Sequence, residues 1–487
     1  MLFNSYIFII VFLPVCISGY FFLNYLNYKK AAQVFLLGMS LWFYGYFNIR
    51  YLFIILSSIV VNYIVSVILR YQEKGKLRKT VFWAGVGFDI GLLLYYKYYD
   101  FCLENINALF KMDFALRRML LPLGISFFTF QQLSYIIDSY RRETAEYGFL
   151  EYASFVSFFP QLIAGPIVTH EELIPQLMDD AKRKFSWENF SKGLYLFVLG
   201  LSKKVLIADM FGNAVNIGYG DIGGLNSTEA GITMLAYTIQ IYFDFSGYCD
   251  MAVGLGQMFN IALPVNFDSP YKACTITEFW KRWHKTLTRF FRKYIYIPLG
   301  GSRKGNMRTY INLLIVFLVS GLWHGANWTF VLWGFCHGAF SVITRSCKKI
   351  FDKLPRILCW LLTFLFINIT WVIFRVESLE NAALLFGRIL CFDFGPIRGD
   401  MANCFKQPEW RWMFTFGPQR ILVERFPSFF LVMSFLVVYM IIFCAKNAYE
   451  KTQTFRPTLF GALVTVVLLG WCVCSFSGVT TFLYFNF

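Results

Sequence analysis

Residues 309–344 read TYINLLIVFLVSGLWHGANWTFVLWGFCHGAFSVIT, thirty-six positions without one Asp, Glu, Lys or Arg. About 20 consecutive apolar residues suffice to cross a bilayer, so this stretch decides the class of the chain: it spans a membrane. In its middle stands Ser320-Gly-Leu-Trp-His-Gly-Ala-Asn-Trp328. An imidazole at membrane depth is costly and signals either a function or a buried partner. Gly321 and Gly325 flank His324 and would let another backbone or a thin substrate come close. These residues alone leave His324 with two readings, a reacting group or a hydrogen-bonded histidine in a helix bundle.

The same signal recurs on both sides. Uncharged windows cover Met1–Tyr28, Ala31–Ile49, Tyr51–Leu69, Met119–Ile137, Tyr152–His170, Ile357–Phe374, Ser428–Ala445 and Pro457–Phe487. Their lengths predict an all-α polytopic membrane protein with roughly eleven spanning helices plus re-entrant or interfacial pieces. With 57% hydrophobic residues, 20% aromatic ones and a mean hydropathy of +0.53, a soluble globular fold is excluded. The first window lacks a basic n-region and a small-residue cleavage site, and reads as a retained helix rather than a signal peptide.

The net charge of +16 sits mostly in short connections, among them Lys29-Lys30, Arg70 to Lys79, Lys182-Arg183-Lys184 and Lys348 to Arg356. Nucleic-acid binding would need that charge on a folded soluble face, and the sequence has none. Cytoplasmic loops against anionic membrane lipid explain it better. With Lys29-Lys30 inside, the N-terminus is expected outside. Twelve cysteines are scattered without ligand spacing, so neither a metal centre nor a disulfide framework is expected.

Phe158-Phe-Pro-Gln-Leu-Ile-Ala-Gly-Pro-Ile167 interrupts an apolar run with two prolines six residues apart, which predicts a broken or re-entrant segment covered by protein. Tyr242-Phe-Asp-Phe-Ser-Gly-Tyr-Cys-Asp250 carries two acids. On one helix Asp244 and Asp250 point about 120° apart, so separate basic partners are expected rather than a catalytic dyad. Thr275–Tyr296 reads as one strongly amphipathic helix. Phe279, Trp280, Trp283, Leu287, Phe290, Phe291 and Tyr294 take one arc; Lys281, Arg282, Lys285, Arg289, Arg292 and Lys293 take the other, with His284 on the border. Such a helix lies in the interface or lines a wet cavity, and its basic face suits lipid headgroups or the phosphates of a cytoplasmic donor. His284 is then either a positioned functional group or an interfacial histidine with no role. The last window ends Thr481-Phe-Leu-Tyr-Phe-Asn-Phe487, aromatic where a solvated terminus would be polar, and is expected to be docked near the outer leaflet.

Taken in order, six pieces resemble the membrane-bound O-acyltransferases, and among them the bacterial alginate O-acetyltransferase membrane proteins. They are Phe159–Ile167, Asp244-Phe-Ser-Gly-Tyr248, Asn266-Phe-Asp-Ser-Pro-Tyr271, Phe279-Trp-Lys-Arg-Trp-His-Lys-Thr-Leu287, Tyr296-Ile-Pro-Leu-Gly-Gly301 and Leu322-Trp-His-Gly325. The resemblance implies one domain over residues 1–487, with core motifs about 159–340 and an aromatic tail at 481–487. It places the family's catalytic histidine on His324 and its supporting histidine on His284. His337, about 140° from His324 around a continuous helix, is expected to be structural. A shorter resemblance links Phe482-Leu-Tyr-Phe-Asn-Phe487 to the Phe-x-Tyr-x-x-Phe end of the small membrane partner in teichoic-acid D-alanylation, where a tyrosine is thought to carry the acyl group. That points to Tyr484.

The function so implied is acyl transfer, of acetyl in the first instance, from a cytoplasmic thioester to a polysaccharide outside the cell. The donor would be acetyl-CoA or an acyl-carrier thioester, gripped by Arg282, Lys285 and Arg289; the acceptor would be an exported SGNH-type acetyltransferase partner. The setting would be the inner membrane of a bacterial cell, with both termini outside. An anionic donor will not cross lipid, so only the acyl group travels, through a central channel. A histidine near pKa ~6.5 suits the proton transfer, and a phenol near ~10 is a better acyl relay than an alcohol. Competing readings are D-alanyl transfer from a carrier protein, acylation of a lipid or protein, and a transporter whose intramembrane acids and histidines relay protons.

Overall fold

The computed structural model describes residues 1–406, 428–478 and 482–483, and every secondary-structure element among them is helical. Four of these helices are long and apolar enough to cross a membrane: Ile7–Tyr25, Ile49–Tyr71, Gly305–His324 and Arg356–Arg375. The chain therefore reads as a multi-pass membrane protein, although four is well short of the eleven spans counted from sequence windows. Several windows are split into shorter helices; Tyr152–His170, for example, holds parts of three. The backbone contacts divide into two compact units. The first comprises Met1–Val198, Cys249–Val265 and Phe455–Leu459; the second comprises Leu199–Tyr248, Asn266–Thr454 and Phe460–Phe487.

In the first unit the double-proline segment breaks as its sequence demands. Helix Phe149–Ser157 stops at Phe158, whose ψ of 109° is extended, and a single turn Phe159–Leu162 follows with Pro160 inside it. Gly124 covers the freed backbone: its φ is +69°, and a Cβ there would stand 2.7 Å from the Leu162 carbonyl oxygen. Only glycine satisfies both conditions. Phe159 packs into a ring cluster with Phe12 and Phe43 at centroid distances of 5.3 and 5.5 Å. Buried polar contacts also sit in this apolar frame. Asn62 donates to Asp89 (2.8 Å) and to Gln132 (2.6 Å), while His170 Nε2 lies 3.4 Å from Asp138 Oδ2. With the exposed Glu171, that pair brings three potential ligand atoms within 4.8 Å of one another.

In the second unit the uncharged stretch folds as a hairpin. Helix Gly305–His324 has 20 residues, ~30 Å at ~1.5 Å per residue, enough for the hydrocarbon core. It stops at Gly325, and Asn327 restarts the chain by accepting the Thr329 N–H (3.0 Å) at the head of helix Trp328–Ser346. The two helices touch backbone to backbone. A Cβ on Gly321 would meet the Phe330 carbonyl oxygen at 2.3 Å, and one on Gly334 the Phe317 carbonyl oxygen at 2.4 Å. The close approach expected at Gly321 is thus to the returning arm of its own hairpin.

The expectation of one continuous helix over Thr275–Tyr296 is overturned. Ile276–Arg282 and Lys285–Phe291 are separate helices; Trp283 is extended and His284 is left-handed, with φ +46°. Long-range hydrogen bonds replace the helical ones. In a continuous helix Thr286 N–H would donate to the Arg282 carbonyl; here that carbonyl accepts from Asp268 N–H (2.9 Å), and Thr286 N–H donates to Asn266 Oδ1 (3.2 Å). Lys285 N–H donates to the Asn266 carbonyl at 3.0 Å. The loop at 266–268 takes over the helix's own pairings. Sidedness nevertheless survives the break: Phe279, Trp280, Trp283, Leu287, Phe290 and Phe291 are buried, while Lys281, Arg289 and Arg292 are exposed.

Candidate active site

The break at residues 283–284 carries His284 inward. The side chain expected at an interfacial border is 0% exposed. Its Nδ1 lies 3.1 Å from Asn266 Oδ1, which also accepts from the Thr286 backbone N–H and, at 3.0 Å, from the Thr286 hydroxyl. A backbone N–H can only donate, so the Asn266 atom at this junction is its oxygen. His284 Nδ1 must then carry the proton, and Nε2 keeps its lone pair. Among the described residues Nε2 has no hydrogen-bond partner, and it is buried. Burial pushes the His284 pKa down to about 3, so the ring is neutral. A neutral imidazole with an open lone pair can accept a hydrogen bond, while the same burial disfavours a full positive charge on it.

His324 ends its helix inside a ring of aromatics. Its centroid is 4.8 Å from Trp323, 5.1 Å from Trp333 and 5.1 Å from Phe374, all edge-on. Trp323 also faces His284, at 6.0 Å, and Phe245 closes on His284 from the Ser227–Met258 helix at 4.8 Å. The two histidines thus share Trp323 as a wall, although 39 positions separate them in the chain. His337 is engaged on both nitrogens. Trp280 Nε1–H donates to its Nδ1 (3.2 Å), and its Nε2 faces the Thr370 hydroxyl at 3.0 Å. The reason expected for a structural His337 was its angle around a continuous helix, and that reason fails because the helix breaks at Gly325. The two hydrogen bonds replace it.

The basic residues assigned to donor binding differ among themselves. Arg282 is half-buried and forked onto Glu278 Oε1 (2.9 Å), with a further bond to the Asp268 carbonyl (3.2 Å). Lys285 is half-buried and Arg289 exposed. Tyr484 lies outside the described residues, but the two residues before it do not. Leu483 N–H donates to Asp244 Oδ2 at 3.0 Å, and the Phe482 ring is buried against Tyr248 at 4.6 Å. Asp244 also meets the basic partner expected of it: Lys204 Nζ is 2.6 Å from its Oδ1 and 2.8 Å from Asp209 Oδ1.

Asn266 and Lys204 are the site residues that sequence reasoning missed. Asn266 opens a quoted motif, but its role depends on contacts 18 and 20 positions away. Lys204 stands beside Lys203 in a mostly apolar segment, Gly193 to Ala208, and a charged pair there was the available signal.

Fold and site together define a helical membrane protein with buried histidines in an aromatic enclosure. A sequence model of MBOAT, the membrane-bound O-acyltransferase family, matches residues 90–380, more than half of the chain. The chain belongs to that family and is an O-acyltransferase, which excludes the transporter reading. It is 38% identical to the peptidoglycan O-acetyltransferase of Helicobacter pylori over 100% of this chain and 98% of that protein. It is 39% identical to the probable alginate O-acetylase AlgI of Pseudomonas aeruginosa over 80% of this chain and 75% of that one. A teichoic acid D-alanyltransferase of Streptococcus thermophilus is 28% identical over 47% of this chain and 59% of its own length.

Proposed function

We propose that this O-acyltransferase takes acetyl groups from a cytoplasmic thioester and passes them across a bacterial inner membrane to a glycan outside, with peptidoglycan as that glycan. The observation that carries the reading is the end-to-end likeness to a protein named peptidoglycan O-acetyltransferase. The alginate relatives match four-fifths of this chain, and the D-alanyltransferase matches less than half. Peptidoglycan therefore replaces the alginate-like exopolysaccharide suggested by the motifs alone, and acetyl is favoured over D-alanyl.

In this reading the donor is acetyl-CoA or an acyl-carrier thioester, with Lys285 and Arg289 at its phosphates and Arg282 held beside them by Glu278. The helices surround a channel through which only the acyl group moves, and both chain termini face outward. His324 removes the phenolic proton of Tyr484 as that oxygen attacks the thioester carbonyl. The C–S bond breaks, and the proton leaves with the thiolate. The aryl ester on Tyr484 then gives its acyl group to a hydroxyl of an exported SGNH-type partner, which acetylates the glycan. His284, with its lone pair open beside Trp323, assists by positioning the thioester.

Tyr484→Phe removes one oxygen and keeps the ring. It is expected to stop external acetylation while leaving donor binding intact. Mass spectrometry of the C-terminal peptide, after donor is supplied without the exported partner, should show an acetyl adduct on Tyr484. Base-released acetate should fall in purified sacculi and not in exopolysaccharide. Normal acetate release from sacculi of the Tyr484→Phe strain would remove the relay, and a loss confined to exopolysaccharide would remove the peptidoglycan assignment.

A further inference from the structure

Lys204 stands on a wide π-type turn, Lys203–Ala208, a local irregularity that is frequent at functional sites. Its side chain is 1% exposed and reaches two carboxylates, Asp209 and Asp244. A buried lysine between two acids is a poor choice for stability, since apolar residues of the same volume would usually serve as well. What the arrangement does hold is the end of the chain. Asp244 presents Oδ1 to Lys204 and Oδ2 to the Leu483 N–H. The ammonium of Lys204 sits 4.7 Å from the centroid of the Phe482 ring, which also packs edge-on against Tyr248. A desolvated ammonium on an aromatic ring is among the stronger forms of this contact.

We infer that Lys204 and Asp244 form a clamp for the C-terminal segment, gripping Phe482 by its ring and Leu483 by its backbone, and thereby set the reach of Tyr484. The docking itself stands on the contacts above; its consequence for catalysis rests on the reading of Tyr484 as the acyl carrier. One residue spans at most ~3.3–3.6 Å of chain, so a fixed Leu483 limits how far the next residue can reach. The clamp also shares its helix with the histidine site. Asp244 is followed directly by Phe245, the ring that closes on His284. Lys204 and Asp244 are thus positioning residues, acting on the reaction through Tyr484.

Asp244→Asn is the sharpest test, because it keeps shape and leaves Lys204 paired with Asp209. If the amide oxygen stays on Lys204, its NH2 group faces the Leu483 N–H, and two donors oppose each other. Full-length protein in nanodiscs would be digested with a carboxypeptidase and followed by intact mass. Removal of residues back through Leu483 is expected to be at least tenfold faster in Asp244→Asn than in the wild type, at an unchanged melting temperature. The turnover number for acetyl transfer should fall at least tenfold, while KM for the thioester stays within twofold. Phe482→Leu, which leaves the charged groups untouched, should give a smaller effect in the same direction and covers the case of an unfolded Asp244→Asn protein. Wild-type protection of the tail in both folded variants, or in Phe482→Leu where only it folds, would overturn the clamp. A released tail with normal turnover would leave the clamp standing and overturn the acyl-carrier role of Tyr484.

Discussion

His284 and His337 look alike by every coarse measure. Both are fully buried, both stand among aromatic rings, and both belong to the second unit. They differ in the proton. His337 receives the Trp280 indole N–H on Nδ1, so its own hydrogen is on Nε2 and points at Thr370. His284 is the opposite tautomer, with hydrogen on Nδ1 towards Asn266 and a lone pair on Nε2 that no described residue uses. One ring is closed by its neighbours and the other is left open. Burial therefore does not tell the two rings apart; the donor and acceptor inventory around each ring does.

The largest effect bearing on this contrast should come from neither of the two. His324→Ala is expected to reduce acetyl transfer to background, since general-base help alone is worth ~10²–10⁴-fold. Folded protein that still acetylated sacculi normally would move the base elsewhere, and His284 would be the replacement. A smaller loss, tenfold to a hundredfold, is expected for His284→Ala. Asn266→Ala should approach it, because removing the acceptor frees the tautomer while leaving the ring in place. Steady-state kinetics on the two variants checks this. An Asn266→Ala enzyme as active as wild type would detach the tautomer from catalysis.

The smallest effect on rate belongs to His337. His337→Gln should leave turnover within about threefold and lower stability by ~1–3 kcal/mol, the usual cost of leaving buried partners such as the Trp280 N–H unsatisfied. Thermal unfolding in nanodiscs measures it. A large loss of turnover with an unchanged melting temperature would reverse the assignment and make the closed ring the working one.

Much of this was legible in the chain. The uncharged run at 309–344 identified a membrane protein because lipid leaves little choice: some 20 apolar residues span the bilayer, and only helices or closed barrels can satisfy their own backbone there. The prolines at 160 and 166 announced their break because proline cannot complete a helical hydrogen bond. The alternation of Trp and Phe with Lys and Arg over 275–296 gave the correct sides of that segment. It did not give its path.

What only the tertiary structure decided lies where a local preference and a distant partner competed. The pattern at 275–296 favoured one helix, yet Asn266 and Asp268 offered hydrogen bonds that the helix could not make at the same time as its own, and they divided it at His284. That exchange turned a border residue into a buried one and chose its tautomer. The same is true of Lys204, Asp244 and Leu483, brought together from positions 40 and 239 residues apart. Sequence by itself determined the solvent, the all-helical class and the family motifs, because those follow from composition and short-range spacing. Which nitrogen holds a proton, and which carboxylate holds the end of the chain, depended on long-range pairings that no local spacing encodes.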